Sequence, residues 1–151
     1  MKKRFWCFNF LFIFLVMCNG FSQNIIDVHS HIINEDYLKF LKDNSALMDE
    51  GYPLPNWDIE KHLAFMQQAG IESSILTMVA PHPYFGNIDE TIKEVRKFNE
   101  YCSSLKKKSN GKFKFCASLP LPNIEAAIKE VRYAFDSLQA DGVKLATNVY
   151  G

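Results

Sequence analysis

The chain has 151 residues, 17 basic and 17 acidic, a formal net charge of zero, and 48% hydrophobic against 23% charged residues. That balance excludes a disordered chain, and the lack of a basic excess argues against a nucleic-acid partner. The length suits one domain of ordinary size.

The first segment reads as an export signal. Met1-Lys2-Lys3-Arg4 is a charged start, and Phe5 to Cys18 is almost wholly apolar, broken by Asn9. Such a run suits the apolar region of a signal peptide and is short for a membrane-spanning helix. Gly20 and Ser22 are small residues placed for cleavage before Gln23, so 1–22 is expected to be the signal peptide and 23–151 the exported domain, periplasmic or secreted. Leu15-Val16-Met17-Cys18 also resembles a lipobox, but Met17 is large for the position before the cysteine, and plain secretion is preferred. Without Lys2, Lys3 and Arg4 the balance is 14 basic against 17 acidic, a net of −3.

Ile25-Ile26-Asp27-Val28-His29-Ser30-His31 comes next, a short apolar strand over 25–29 leading into two histidines one residue apart. Side chains two apart on a strand share a face. His29 and His31 should therefore project together from the strand's end, with Asp27 one layer deeper. Two neutral imidazoles so placed can hold one divalent cation, with Zn–N distances of about 2.0–2.1 Å. Taken alone, H-x-H is equally an ordinary surface pair; its place at the end of the first strand of an α/β array favours the metal reading.

A mixed segment runs to Asn56, with a short helix over 36–42 and an irregular stretch at Gly51-Tyr52-Pro53-Leu54-Pro55, where two prolines oppose regular structure. Asn56 is the expected cap of a helix carrying Ile59, Leu63 and Met66 inward and ending at Gly70. His62 flanks that stripe and reads as a helix-boundary residue. Residues 74–79 form a second strand. The loop Ala80-Pro81-His82-Pro83-Tyr84-Phe85-Gly86 lies at the same end as the histidine pair, and His82, Tyr84 and Phe85 are either substrate contacts or part of a plain proline-rich turn.

Asn87 opens the next helix, with Ile88, Ile92, Val95, Cys102 and Leu105 inward and Lys106-Lys107-Lys108 as a solvated terminus that suits the dipole. Phe113 to Leu119 is a third strand. Asn123 caps a helix with Ile124, Ile128, Val131, Phe135 and Leu138 inward, and 142–146 is a fourth strand. After signal cleavage only Cys102 and Cys116 remain, at apolar positions, and both are expected to be free thiols. Strand and helix alternate as βαβαβαβ, which implies a parallel sheet with right-handed crossovers.

Ile26-Asp27-Val28-His29-Ser30-His31, Trp57-Asp58 before a helix ending at Ala69-Gly70-Ile71, Ser118-Leu119-Pro120 before a helix with Ala127 and Glu130, and Gly142-Val143-Lys144-Leu145-Ala146-Thr147-Asn148-Val149 are together recognisable. In that order and spacing they resemble the amidohydrolase superfamily, in the amidohydrolase-related branch of aminocarboxymuconate-semialdehyde and 6-methylsalicylate decarboxylase-like enzymes. The resemblance runs from Ile25 to the last residue. It implies an α/β fold, the metal-dependent hydrolase-type (β/α)8 TIM barrel, of which this chain holds about the first four β/α units. Such a barrel takes around 250 residues, about twice the length left once the signal is removed.

The resemblance also implies a divalent metal, usually zinc, with His29 and His31 as its first-strand ligands. The family's other ligands, a histidine on strand five and an aspartate on strand eight, have no counterpart here. Trp57, His82, Tyr84, Phe85 and Asn148 match regions near the substrate pocket. The implied partner is a small-molecule carboxylate, with no nucleic acid and no membrane span, and the family leaves room for a homodimer in the full-length form.

The expected activity is metal-dependent decarboxylation of a small carboxylated ring or muconate-type substrate. A hydrolase or lactonase using a metal-activated water is the alternative that export keeps open. A truncated, inactive fragment is the third. Phosphoesterases and nucleases with an H-x-H first strand need further ligands, and the net negative charge weighs against a nuclease.

Overall fold

The computed structural model describes residues 24–49 and 51–145. The expected signal peptide, the lipobox cysteine and Asn148 lie outside the described residues. Four strands form one parallel sheet: β1 (Ile25–Ile32), β4 (Ile71–Met78), β5 (Phe113–Ala117) and β6 (Gly142–Val143), side by side in chain order. Helices α1 (Glu35–Asp43), α2 (Ile59–Ala69), α3 (Ile88–Lys108) and α4 (Ile124–Asp136) fill the connections. Sequential parallel neighbours joined by helices are the wall of an α/β barrel. No helix among the described residues is long and apolar enough to cross a membrane.

Each helix starts where a side chain can accept an orphan backbone N–H. Asn34 accepts from Tyr37 N, Asp58 from Lys61 N, Asn87 from Asp89 N and Glu90 N, and Asn123 from Ala126 N. The cap of α2 is Asp58, not Asn56: a carboxylate beside the first turn also suits the positive end of the helix dipole. Gly70 ends α2 with φ 69°, a left-handed conformation that glycine adopts without steric cost.

The irregular stretch is more ordered than its prolines suggest. β2 (Met48–Asp49) and β3 (Tyr52–Pro53) pair antiparallel, and Leu54 N–H bonds Leu47 O. A two-residue edge tolerates Pro53, whose missing N–H removes no central ladder bond. β1 is also longer than expected and contains both histidines within it.

Ser74, Leu76, Met78, Phe113, Phe115 and Ala117 are buried on the helix side of the sheet, against Phe98, Cys102 and Leu105 of α3. Cys102 and Cys116 are free thiols, as the apolar pattern implies. The face of α4 differs from its apolar periodicity. Ile124, Ile128 and Phe135 are 63%, 51% and 43% exposed, while Ala127, Glu130 and Ala134 are buried. Two small residues let the helix approach closely, and a polar network sets its rotation. Glu130 accepts from Arg96 Nε at 2.8 Å and Asn99 Nδ2 at 2.8 Å, and Arg96 lies 3.7 Å over the Tyr133 ring. Asn99 also donates to Ser118 O at 2.9 Å and accepts from Ser118 N at 2.9 Å. The chain leaving β5 is thus held by a buried amide.

Lys106 is not simply solvated. Its Nζ lies 2.8 Å from both Asp141 oxygens and donates to Gln139 O, while Asp141 accepts from Phe115 N. That clamp fixes the approach to β6.

Asn99→Ala removes three buried bonds and strips the Ser118 backbone N–H and carbonyl and Glu130 Oε1 of the Asn99 amide, while the Arg96 bond to Glu130 Oε2 remains. It should lower stability by about 2–4 kcal/mol, measured by urea unfolding.

Candidate functional site

β1 does not alternate simply. Asp27 pairs with Ser74 and Ser30 with Leu76, so three steps on β1 oppose two on β4: one extra residue forms a bulge. Asp27 stabilises it. One carboxylate oxygen accepts His29 N–H at 3.0 Å and the other accepts the Ser74 hydroxyl at 3.2 Å. Ser74 and Thr77 point to opposite faces of β4, so Asp27 does not lie beneath the imidazoles, contrary to the alternation expected from sequence.

Beyond the bulge His31 pairs with Thr77. The rings of His29 and His31 meet edge to face, centroids 4.7 Å apart, with Nε2 to Nε2 at 3.1 Å. Thr77 orients the second ring. Its hydroxyl is 3.1 Å from Ser30 O and 2.7 Å from His31 Nδ1. A hydroxyl has one proton, and the carbonyl can only accept it. The hydrogen between Thr77 and His31 therefore sits on Nδ1, which leaves the Nε2 lone pair facing His29.

Two donors bound to one ion at about 2.0–2.1 Å stand roughly 3–3.5 Å apart. The Nε2 pair fits that spacing, and neutral imidazole suits zinc and other divalent transition metals. These two supply part of a ligand set: among the described residues, no group of three or more His, Cys, Asp or Glu is placed to hold a metal ion.

The same sheet face carries a residue the sequence reading missed. Ile75 pairs with Lys114, Cys116 with Gly142, and alternation carries that face through Thr77 to Lys144. Lys144 Nζ donates to Met78 O at 2.6 Å, one residue beyond Thr77. Its signal in the sequence was a lone charge inside the apolar run Gly142–Ala146.

His82 lies nearby. It lines a cavity of about 80 Å³ with Met78, Ser118, Leu119 and Lys144, and its Nε2–H donates to Leu119 O at 2.9 Å. Its Nδ1 is buried without a hydrogen-bond partner. Burial pushes this imidazole below its ordinary pKa and the Lys144 charge adds to that, against the opposing bond to Leu119.

The other candidates are placed elsewhere. Trp57 lines a cavity of about 560 Å³ with Asn34, Asp58 and Tyr101, which includes neither imidazole. Its Nε1–H donates to His62 Nδ1 at 3.1 Å. His62 packs its ring 5.0 Å from Phe113, and burial lowers its pKa while Asp27 opposes the shift. Phe85 packs its ring at a tilt against Phe40 of α1, 5.7 Å between centroids, and Tyr84 N–H closes a turn onto His82 O. Tyr37 ties the same loop down through a 2.5 Å bond to Pro81 O.

No family model matches the chain. It is 36% identical over 135 residues to decarboxylase macB of Penicillium terrestre, covering 85% of this chain and 39% of that protein. It is 30% identical over 128 residues to the 6-methylsalicylic acid decarboxylase of Penicillium expansum, covering 83% and 39%. The chain thus spans about two fifths of the length of the curated relatives it matches. Among solved structures, an amidohydrolase II superposes with TM-score 0.81 at 35% identity, covering 85% of this chain and 42% of that one. A manganese-bound 5-carboxyvanillate decarboxylase from Novosphingobium aromaticivorans superposes with TM-score 0.74 at 16% identity, covering 88% and 45%. A 2,6-dihydroxybenzoate decarboxylase complexed with 2,6-dihydroxybenzoate gives 0.61 at 24%, covering 80% and 38%.

Nitrogen-15 NMR of the His31 ring should show a protonated Nδ1 and an unprotonated Nε2. Thr77→Val should yield mixed tautomers, and Thr77→Ser should keep the single form; an unchanged spectrum in Thr77→Val would remove the hydroxyl from this role.

Proposed function

Because the chain belongs to the amidohydrolase superfamily and corresponds to the N-terminal part of its barrels, we propose that it carries His29 and His31 as two ligands of a divalent-metal centre in a decarboxylase of small carboxylated rings. The 3.1 Å approach of the two Nε2 atoms carries this reading. Relatives at 36% and 30% identity that bear the name decarboxylase support the reaction class. Zinc suits the imidazole donors, and manganese is the ion bound by the 5-carboxyvanillate decarboxylase.

When bound, the cation supplies a Lewis acid and lowers the pKa of water. The chain's own residues do the positioning. The bulge brings His29 round to His31, Thr77 holds the His31 tautomer with its lone pair outward, and the Lys144 ammonium places positive charge on the same face. An ammonium there favours an ionised carboxylic acid over a neutral substrate. Export after cleavage before Gln23 belongs to the same proposal, and the mass of the mature N-terminus tests it.

Isothermal titration of the chain with zinc and with manganese is expected to show binding that falls at least tenfold in His29→Ala and in His31→Ala. Undiminished binding in both variants would refute the centre. In the chain joined to the remaining length of a relative, carbon dioxide release from a hydroxybenzoate should be abolished by either substitution. Lactone hydrolysis without carbon dioxide release would instead favour the hydrolase alternative.

A further inference from the structure

The sheet ends on two open edges. Among the described residues β1 and β6 each pair on one side, and all four strands run parallel in chain order. Apolar side chains sit at both rims. Ile25, Ile26 and Val28 are exposed on β1, Ile124, Ile128 and Phe135 are exposed on α4, and exposed Leu145 follows β6. The sheet face opposite the helices is open as well: Ile75 and Cys116 are only half-buried there, and His29 and His31 are exposed. Soluble proteins normally cover strand edges and apolar rims of this kind.

The two edges fit each other. A two-fold axis along the strand direction sets β6 of each copy against β1 of the other, and every strand still runs the same way. Both edges of both copies are then used, and the ring is closed by symmetry. The parallel pairing that joins β1, β4, β5 and β6 continues across each junction. Eight parallel strands close an α/β barrel narrow enough for side chains to fill, and one chain brings four.

Closure acts directly on the histidine pair. In such a barrel the inward side chains of alternate strands share one layer. The first strands of the two copies take positions one and five, so their histidine pairs meet in the same layer. One chain brings two imidazoles, and its described residues place no group of three or more His, Cys, Asp or Glu to hold a metal ion. Two chains bring four imidazoles, enough for the three protein ligands of an open zinc site.

We propose that a second copy of this chain docks on both open edges, closes an eight-strand barrel and supplies the missing imidazoles, so that two chains share one divalent ion. The shared ion rests on the metal-centre reading given above, and the closure rests on the edges.

Light scattering on the chain recovered after export should give the mass of two chains, and zinc analysis should give one ion per two chains. Val28 and Leu145 are 69% and 65% exposed in the single chain. Val28→Lys and Leu145→Lys should therefore leave the far-ultraviolet dichroism unchanged and raise the dimer dissociation constant at least tenfold. His29→Ala combined with His31→Ala should still form the dimer but hold no ion. A single-chain mass at millimolar concentration overturns the docking, and zinc lost on His29→Ala in that state leaves the metal centre standing without it. A dimer that ignores both lysine substitutions overturns the docking too. A wild-type dimer without zinc overturns the shared ion and the metal-centre reading together. Single chains that pair only with the separately expressed remainder of a relative's barrel assign the edges to a longer chain and overturn the proposal. If a lysine variant loses its fold, the wild-type mass and ion count decide.

Discussion

The extra residue in β1 between Asp27 and Ser30 is the constraint on which the site depends. Without it, period-two alternation would put Asp27, His29 and His31 in one row, and a carboxylate would lie below the imidazoles. With it, Asp27 turns to Ser74 and holds the His29 amide, while His31 comes into register with Thr77. A bulge costs regular ladder bonds, and here side-chain bonds replace them. The register of the β1–β4 pair and the geometry of the histidines are therefore one feature.

A second layer of organisation holds the loops at the same end. Glu130 is 2% exposed and Asn99 is fully buried, which is tolerable only because each finds partners. Through Asn99 the helices α3 and α4 set the chain leaving β5, and through the Leu119 carbonyl that chain sets His82. Tyr37 does the corresponding work for the loop after β4, where burial pushes its phenol far up from the ordinary range and keeps it a hydrogen-bond donor. Positions far from the sheet face thus decide which imidazole nitrogen His82 presents.

The exposed apolar residues reflect the same architecture. Ile25, Ile26 and Val28 lie on β1, an edge of the described sheet, and Ile124, Ile128 and Phe135 lie on the outer side of α4. Edge strands present unpaired backbone groups that closed barrels remove. The solved neighbours, of which this chain covers about two fifths, are barrels of the amidohydrolase type.

The order of strands and helices, the parallel sheet, the caps Asn87 and Asn123 and the pairing of His29 with His31 were legible in the sequence, because hydrophobic period and cap chemistry act over a few neighbouring residues. The family was legible too, from motifs spread between Ile25 and Val149. Tertiary structure decided everything set by contacts across strands. The bulge depends on Ser74, 47 residues from Asp27. The rotation of α4 depends on Arg96 and Asn99 reaching Glu130, which the apolar spacing of α4 alone assigns to the wrong face. Thr77 and Lys144 became site residues only through register, since a hydroxyl or an ammonium within an apolar strand declares its direction only when its neighbours across the sheet are known.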